Sequence, residues 1–439
     1  MSFADSSRDR DIVRLALPAL GALAAEPTYL LVDTAVVGHL GTVQLAALGL
    51  AATFLASIFW LFNFLANATT THVANAYGSG NSDQVGSITA QAVWLAAAIG
   101  IVLTVLGVLL AEPITAMLQA HGAVADHATT YIRISALGAT FVMLALAGQG
   151  WARGTQRMSV PLKILVASNI VNLLLEVLFI YGFGWGIAGS AWGTVIAQAG
   201  AAVAFVWTMR AVLAGHLRIV TERMRALIIV GGDLFIRTGL MLLVFNGINA
   251  LLARVGAVDL AANQVLFQLM IFLALVMDSI AIAGQTLIGR ELGAAARESA
   301  QAYALRVTVL SFYAGIVLSL FLAAGHDLIP HVFTSDAAVI DQVQRVWWLF
   351  VVYVLFSSLV YGWDGVMLGG GDSRMMMFVM LAATSICLPV AYVLIEAPDA
   401  IVGAWIAFSV LNVVRLIGNG VRVLSGRWIG PGASQNLST

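Results

Sequence analysis

The run VLFIYGFGWGIAGSAWGTVIAQAGAAVAFVWTM, from Val177 to Met209, contains no Asp, Glu, Lys or Arg. A helix needs only about 20 apolar residues to cross the hydrocarbon core of a bilayer. The run therefore reads as two crossings joined at the glycine cluster Gly182-Phe-Gly-Trp-Gly186, which is punctuation for a short turn rather than a phosphate cradle. A second uncharged run covers Ser87 to Ala111. Over all 439 residues the chain is 61% hydrophobic and 10% charged, far from the roughly 45–50% apolar and ~25% charged of a soluble domain. Lipid is the expected solvent.

Breaking the chain at its Gly, Pro and charge clusters gives apolar segments near residues 12–37, 44–75, 87–111, 129–150, 160–182, 187–209, 226–252, 259–288, 304–324, 346–369, 375–395 and 400–421. The fold class expected is an all-α polytopic membrane protein with twelve transmembrane helices. Loop charge tests that count independently, because cytoplasmic loops carry the Lys/Arg excess. With the N-terminus inside, all of the 21 basic residues except Arg133, Arg237, Arg254 and Arg345 fall on the cytoplasmic side. One missed span would have moved every later charge to the wrong face, so both termini are expected in the cytoplasm. The polar N-terminus MSFADSSRDRDIVR leads into the first apolar run without an A-x-A site, so no removable signal peptide is expected.

The chain repeats itself. Gly41-Thr-Val-Gln-Leu-Ala-Ala47 aligns with Gly256-Ala-Val-Asp-Leu-Ala-Ala262, and the same offset of 215 pairs Thr71 with Thr286, Gly78 with Gly293, Gly150 with Gly365 and Gly154 with Gly369. Several matches along one offset indicate duplication. Six spans per copy is an even number, so the copies enter from the same side and are expected to be related by a pseudo-two-fold axis along the membrane normal, enclosing a central cleft. The organisation read from this is an N-terminal six-helix lobe (1–209), a basic cytoplasmic linker interrupted by Gly215 (210–225), a C-terminal six-helix lobe (226–424) and a polar tail (425–439).

Ionisable side chains inside the bilayer are costly and therefore candidates for function. Glu26 and Asp33 in the first span are seven residues apart, about two helical turns, and share nearly one face; Pro27 between them, and Pro18 before them, are candidates for bending the helix. Asn172 and Glu176 are spaced i, i+4 in the fifth span, with Asn169 one turn earlier, and Thr194 in the sixth adds a hydroxyl. Burial favours a neutral carboxyl and polar neighbours favour the anion. Asp33 and Glu176 are thus the residues expected to take up and release a proton, with Glu26, Asn169, Asn172 and Thr194 as the polar network beside them. Arg237 and Asp278, of opposite charge in the seventh and eighth spans, are read as a structural pair. Trp363 and Asp364 precede Gly369-Gly-Gly371, which is read as a structural cytoplasmic turn. His72 and Arg133 are read as packing or interfacial residues, and the pairs His121 with His127 and His326 with His331 as solvated loop residues. Soft and aromatic surfaces suit varied apolar ligands, which makes Phe54, Trp60, Asn63 and Asn67 candidates to line a substrate cavity.

At these residues the chain resembles the multidrug and toxic compound extrusion (MATE) family, in its bacterial DinF-like branch. The resemblance covers all twelve spans. It is carried by Pro18 followed by Asp33 in LVDTAVVGHLG, by NIVNLLLE with Asn172 and Glu176, and by GIAGSAWGT ending in Thr194. In the second half it rests on Asp233-Leu-Phe-Ile-Arg237-Thr, Asp278 in LALVMDSIAIAGQ, and Gly365-Val-Met-Leu-Gly369 with Asp372-Ser-Arg374. The resemblance implies an exporter of organic, often cationic or aromatic, compounds by alternating access. Asp33 would be its proton-linked residue and Asn172, Glu176 and Thr194 its neighbours. Relatives often carry aspartate where this chain has Glu176, and Pro18 matches the family's bending proline, whereas Pro27 is the feature of the branch.

No cofactor and no metal site are expected, and the coupling ion is expected to be a proton, with sodium as the alternative. The partners expected are small organic molecules and the lipid of a bacterial inner membrane, with the protein a monomer. The net charge of −1 and the absence of a long basic block exclude a nucleic-acid partner. Cys387 is the only cysteine and reads as a small core residue. Two other readings stay open. A lipid-linked precursor flippase would share the scaffold but need more cationic groups for pyrophosphate. A membrane enzyme would need a nucleophile motif or Cys/His metal spacing, and neither stands out.

Overall fold

The computed structural model describes residues 6–395 and 399–429. Among them all regular structure is helical: α1 (Ser6–Gly38), α2 (Thr42–Leu61), α3 (Phe64–Gly78), α4 (Ser82–Leu109), α5 (Ala111–Met117), α6 (Gly122–Ala136), α7 (Ala139–Gly154), α8 (Ser159–Val177), α9 (Gly186–Leu213), α10 (Thr221–Val255), α11 (Ala257–Gly293), α12 (Arg297–Ala324), α13 (Leu328–Phe333), α14 (Ala337–Gly369), α15 (Ser373–Ile395) and α16 (Ala400–Leu424). A π-helical turn, Leu178–Gly182, follows α8. In hydrocarbon every backbone polar group must be satisfied internally, which leaves helices as the spanning element for this composition. Eleven helical stretches are long and apolar enough to cross a bilayer, and α6 with α7, bent by 48°, supplies the twelfth. The fourth span is thus not the single straight helix expected over 129–150. Hydropathy is continuous through Leu137 and Gly138, so composition did not mark the break. The second span is likewise interrupted, at Phe62 and Asn63 between α2 and α3.

The chain divides into two compact units, one made of Gly21–Gly231 and the other of the described residues through Leu20 with those from Gly232 on. The division falls inside α1, two residues beyond Pro18 and seven before Pro27. Two acidic residues on the first turns of α1 explain why its beginning joins the second unit. Asp9 accepts a bidentate pair from Arg306, Nε at 2.7 Å and Nη2 at 2.6 Å, and Asp11 accepts from Tyr303 Oη at 2.7 Å. From Ser6 on, the polar N-terminal segment is helix, anchored through Asp9 and Asp11.

The repeat is visible as equivalent close packing within each unit. A Cβ on Gly150 of α7 would lie 2.7 Å from Ala66 O, and one on Gly365 of α14 would lie 2.3 Å from Ala281 O. Ala66 and Ala281 are themselves one repeat apart. The next turn repeats the pattern, Gly154 against Val73 and Gly369 against Ile288. Small residues that let helix backbones meet are the usual basis of association in lipid. Gly365→Ala is expected to force α11 and α14 apart and destabilise the second unit by about 1–3 kcal/mol, read as a lower thermal midpoint in detergent. An exposed glycine such as Gly232, whose added Cβ meets nothing within 4 Å, serves as the control.

The second unit buries an aromatic cluster of Trp347, Phe350, Trp405 and Phe408, with Phe350 and Trp405 edge to face at 5.0 Å. Cys387 lies fully buried in the same core and donates to Ala407 O at 3.2 Å, as expected of a core residue. The polar tail is not wholly free of structure: Trp428 is buried, donates to Val423 O and covers Gly370, while residues from 430 lie outside those described.

Candidate functional site

The first unit gathers its polar side chains on α1, α6, α8 and α9. The segment GIAGSAWGT builds one wall by using two adjacent helical faces. Gly189 and Gly193, spaced i, i+4, let α9 close on α8, where a Cβ on Gly193 would sit 3.1 Å from Glu176 N. The next residues in register, Ser190 and Thr194, then present hydroxyls at the same two levels. Ser190 Oγ donates to Asp33 Oδ1 at 2.8 Å, and Thr194 Oγ1 accepts from Asn172 Nδ2 at 3.1 Å. Tyr29 Oη, one turn before Asp33, lies 2.8 Å from Thr194 Oγ1. Tyr131 from α6 lies near both carboxyl groups.

Asp33 is 1% exposed and Glu176 0%, and the two carboxyls are neighbours, with Ser190 beside both. Both carboxyl oxygens of Glu176 and the Oδ1 of Asn172 are buried without a hydrogen-bond partner. Such atoms are rare in folded proteins because each carries its full desolvation cost. Three unsatisfied acceptors in one place make a site that wants a donor or a cation: a proton, an ammonium or a metal ion of modest charge density. The π-helical turn begins two residues after Glu176, an irregularity often found at functional positions.

The sequence reading and the structure agree on Asp33, Asn172, Glu176 and Thr194 as one group. Asn169 stands apart, donating to Ala25 O of α1 at 2.8 Å. Glu26 is a correction: it is exposed, outside the buried set. Its seven-residue spacing puts it near the face of Asp33, but α8 meets α1 at that level through the backbone, Asn169 bonding Ala25 O, and leaves the Glu26 side chain exposed. Tyr29, Ser190 and Tyr131 were missed. Tyr29 and Ser190 carried a usable signal, each lying four residues before a named site residue; Tyr131 carried none. Phe54 and Trp60 on α2, Asn63 at the break and Asn67 on α3 are partly exposed and lie outside the carboxyl group just described.

In the second unit Arg237, read as the partner of Asp278, donates to Asp364 Oδ2, which also accepts from Arg415 Nη2 at 2.7 Å; Asn419 Nδ2 donates to Oδ1 at 2.9 Å. Asp364 precedes a turn at Gly370 and Gly371 and is also the centre of this ion cluster. α14 runs on to Gly369, which keeps Asp364 inside the helix and lets α10 and α16 converge on it. Asp278 and Asp364 both lie near Tyr361. At the membrane ends Arg133 donates to Glu112 at 2.7 Å, and His326 stacks on Trp348.

The chain is 29% identical over 95% of its length to the chloroplastic protein DETOXIFICATION 44 of Arabidopsis thaliana, covering 83% of that protein. It is 29% identical to DNA damage-inducible protein F of Escherichia coli, with 88% of this chain and 85% of that one aligned. It is 23% identical to the probable multidrug resistance protein NorM of Thermotoga maritima, over 95% and 93%. Among solved structures, a MATE in a bent conformation superposes with a TM-score of 0.87 at 18% identity, covering 96% of this chain and 95% of that one. A MATE in a straight conformation gives 0.84 with the same identity and coverage. The MatE family model matches twice, at residues 18–178 and 234–393, once in each copy of the repeat. The chain belongs to the MatE family, whose members are membrane transporters rather than enzymes.

Proposed function

We propose that this protein is a secondary active exporter that antiports organic compounds, many cationic or aromatic, against protons by alternating access. The observation that carries the reading is the adjacent buried pair Asp33 and Glu176, with two orphaned carboxyl oxygens on Glu176. Two full negative charges side by side and out of water are costly. The pair holds a proton when no cation is present, and an organic cation entering the same region displaces it. Proton and substrate then bind one region in different states of the carrier, which is the condition for coupling. A relative named as a probable multidrug resistance protein supports the substrate class. Solved relatives described as bent and straight support bending of α1 as the switching movement, between Pro18 and Pro27 where the helix passes from one unit to the other.

The protein resides in a bacterial inner membrane with both termini in the cytoplasm, the orientation that the loop charges favour. One chain carries both lobes, 1–209 and 226–424, joined by the linker 210–225, so the cycle needs no second copy. The orphaned oxygens also favour a second reading, sodium coupling, since they are acceptors that a sodium ion takes. Reconstitution in liposomes separates the two. Efflux of a fluorescent organic cation should follow an imposed proton gradient and ignore a sodium gradient; the converse result selects sodium, and response to neither overturns coupled export.

A further inference from the structure

The linker between α9 and α10 is held in one conformation by α4. Gln91, fully buried, donates to Arg218 O at 2.9 Å and accepts from Val220 N at 3.1 Å, and Trp94 Nε1 donates to Leu217 O at 3.0 Å. Gly86 allows the close approach: a Cβ there would lie 2.6 Å from His216 Nδ1 and 2.7 Å from Val212 O. Gly215 takes the left-handed φ of +83° that turns the chain.

The linker and α4 line an open cavity of about 500 Å³, within the range of small-molecule sites. Arg218 and Arg223 line it, and among the described residues neither makes an ion pair or a side-chain hydrogen bond. Ser87 also lines it, 5% exposed, its Oγ buried without a partner. Asp83, the acidic group on the wall, is exposed to solvent and pairs with His216 at 3.5 Å. The cavity thus offers two uncommitted guanidinium groups and one unused hydroxyl, which match the oxygens of a phosphate. Around it Leu217 and Ile219 are 56% and 58% exposed and Trp94 43%. An apolar rim with an aromatic and interleaved arginines is the make-up of a membrane-interface segment.

We propose that this cavity binds the headgroup phosphate of an acidic phospholipid, anchoring the first unit's linker to the leaflet it faces. The two arginines repel the cation that a zwitterionic headgroup carries beside its phosphate, whereas an acidic headgroup brings no such cation. In the orientation proposed above that leaflet is the cytoplasmic one; lipid binding itself does not depend on the transport reading.

Purified protein in neutral detergent, titrated with phosphatidylglycerol or phosphatidylcholine and examined by native mass spectrometry, should retain phosphatidylglycerol roughly tenfold better. In Arg218→Ala/Arg223→Ala that preference should fall to about twofold or less. Arg210→Ala/Arg225→Ala, which removes equal charge outside the cavity, should keep it. Equal losses in both double variants would reduce the effect to general surface charge and overturn the site. Inorganic phosphate competing as well as phosphatidylglycerol would overturn the lipid assignment in favour of a soluble anion.

Discussion

Asp33→Asn is expected to cut proton-driven export by roughly 5- to 150-fold while leaving the protein folded. The substitution keeps the shape of the side chain, and its amide oxygen still accepts from Ser190 Oγ, now 2.8 Å from Asp33 Oδ1. What it removes is the ability to gain and lose a proton. A ligand moves a conformational equilibrium only by binding its states differently, so without the Asp33 carboxyl the proton gradient loses one of the two groups it acts on. Coupling energies of about 1–3 kcal/mol correspond to roughly 5- to 150-fold, and the loss of gradient-driven flux should fall in that range. Thermal unfolding should hardly change. Full export with an unchanged pH response would sink the assignment. Glu176→Gln refines it: wild-type flux in that variant places coupling on Asp33 alone, whereas a loss in both places it on the pair.

The second repeat sharpens why the site sits where it does. At the offset of 215, Asp33 corresponds to Ile248, which is fully buried in the aromatic and aliphatic core of the second unit. Glu176 falls approximately opposite Val393, 66% exposed. Duplication preserved the glycines that bring helices together and not the carboxyls. This asymmetry could be read from sequence because both kinds of position are defined by residue type alone: a glycine or a carboxylate in an apolar helix has few interpretations.

Other features were not legible in that way. The bend between α6 and α7 lies in continuous hydropathy. Ser190 and Tyr29 are residues that pack inside membrane helices without special roles, so only their four-residue spacing from Thr194 and Asp33 distinguished them. The ion cluster at Asp364 was missed because its local context shows only the triple-glycine turn five residues later, whereas its partners Arg237, Arg415 and Asn419 lie 51 or more residues away in sequence. Nothing in a single sequence ties a buried carboxylate to one distant arginine rather than another; the folded arrangement decides.

That arrangement sets the order of effects in the second unit. Asp364 and Arg415 have side chains 9% and 8% exposed, and Arg237 17%. Asp364 accepts from both guanidinium groups, so Asp364→Asn leaves two buried like charges facing a neutral amide. Removing one partner of a buried ion pair costs about 3–5 kcal/mol, and this case stands at the upper end because two arginines lose their anion at once. Arg415→Met should be milder, since Asp364 keeps Arg237 and Asn419 and the trio becomes neutral. The expected ranking in yield of monodisperse protein and in thermal midpoint is wild type, then Arg415→Met, then Asp364→Asn. Adding Arg415→Met to Asp364→Asn should recover part of the loss, because it removes one of the stranded charges. A double variant no better than Asp364→Asn alone, or an Asp364→Asn protein as stable as wild type, would show that the charge of Asp364 is not what holds the two guanidinium groups in place.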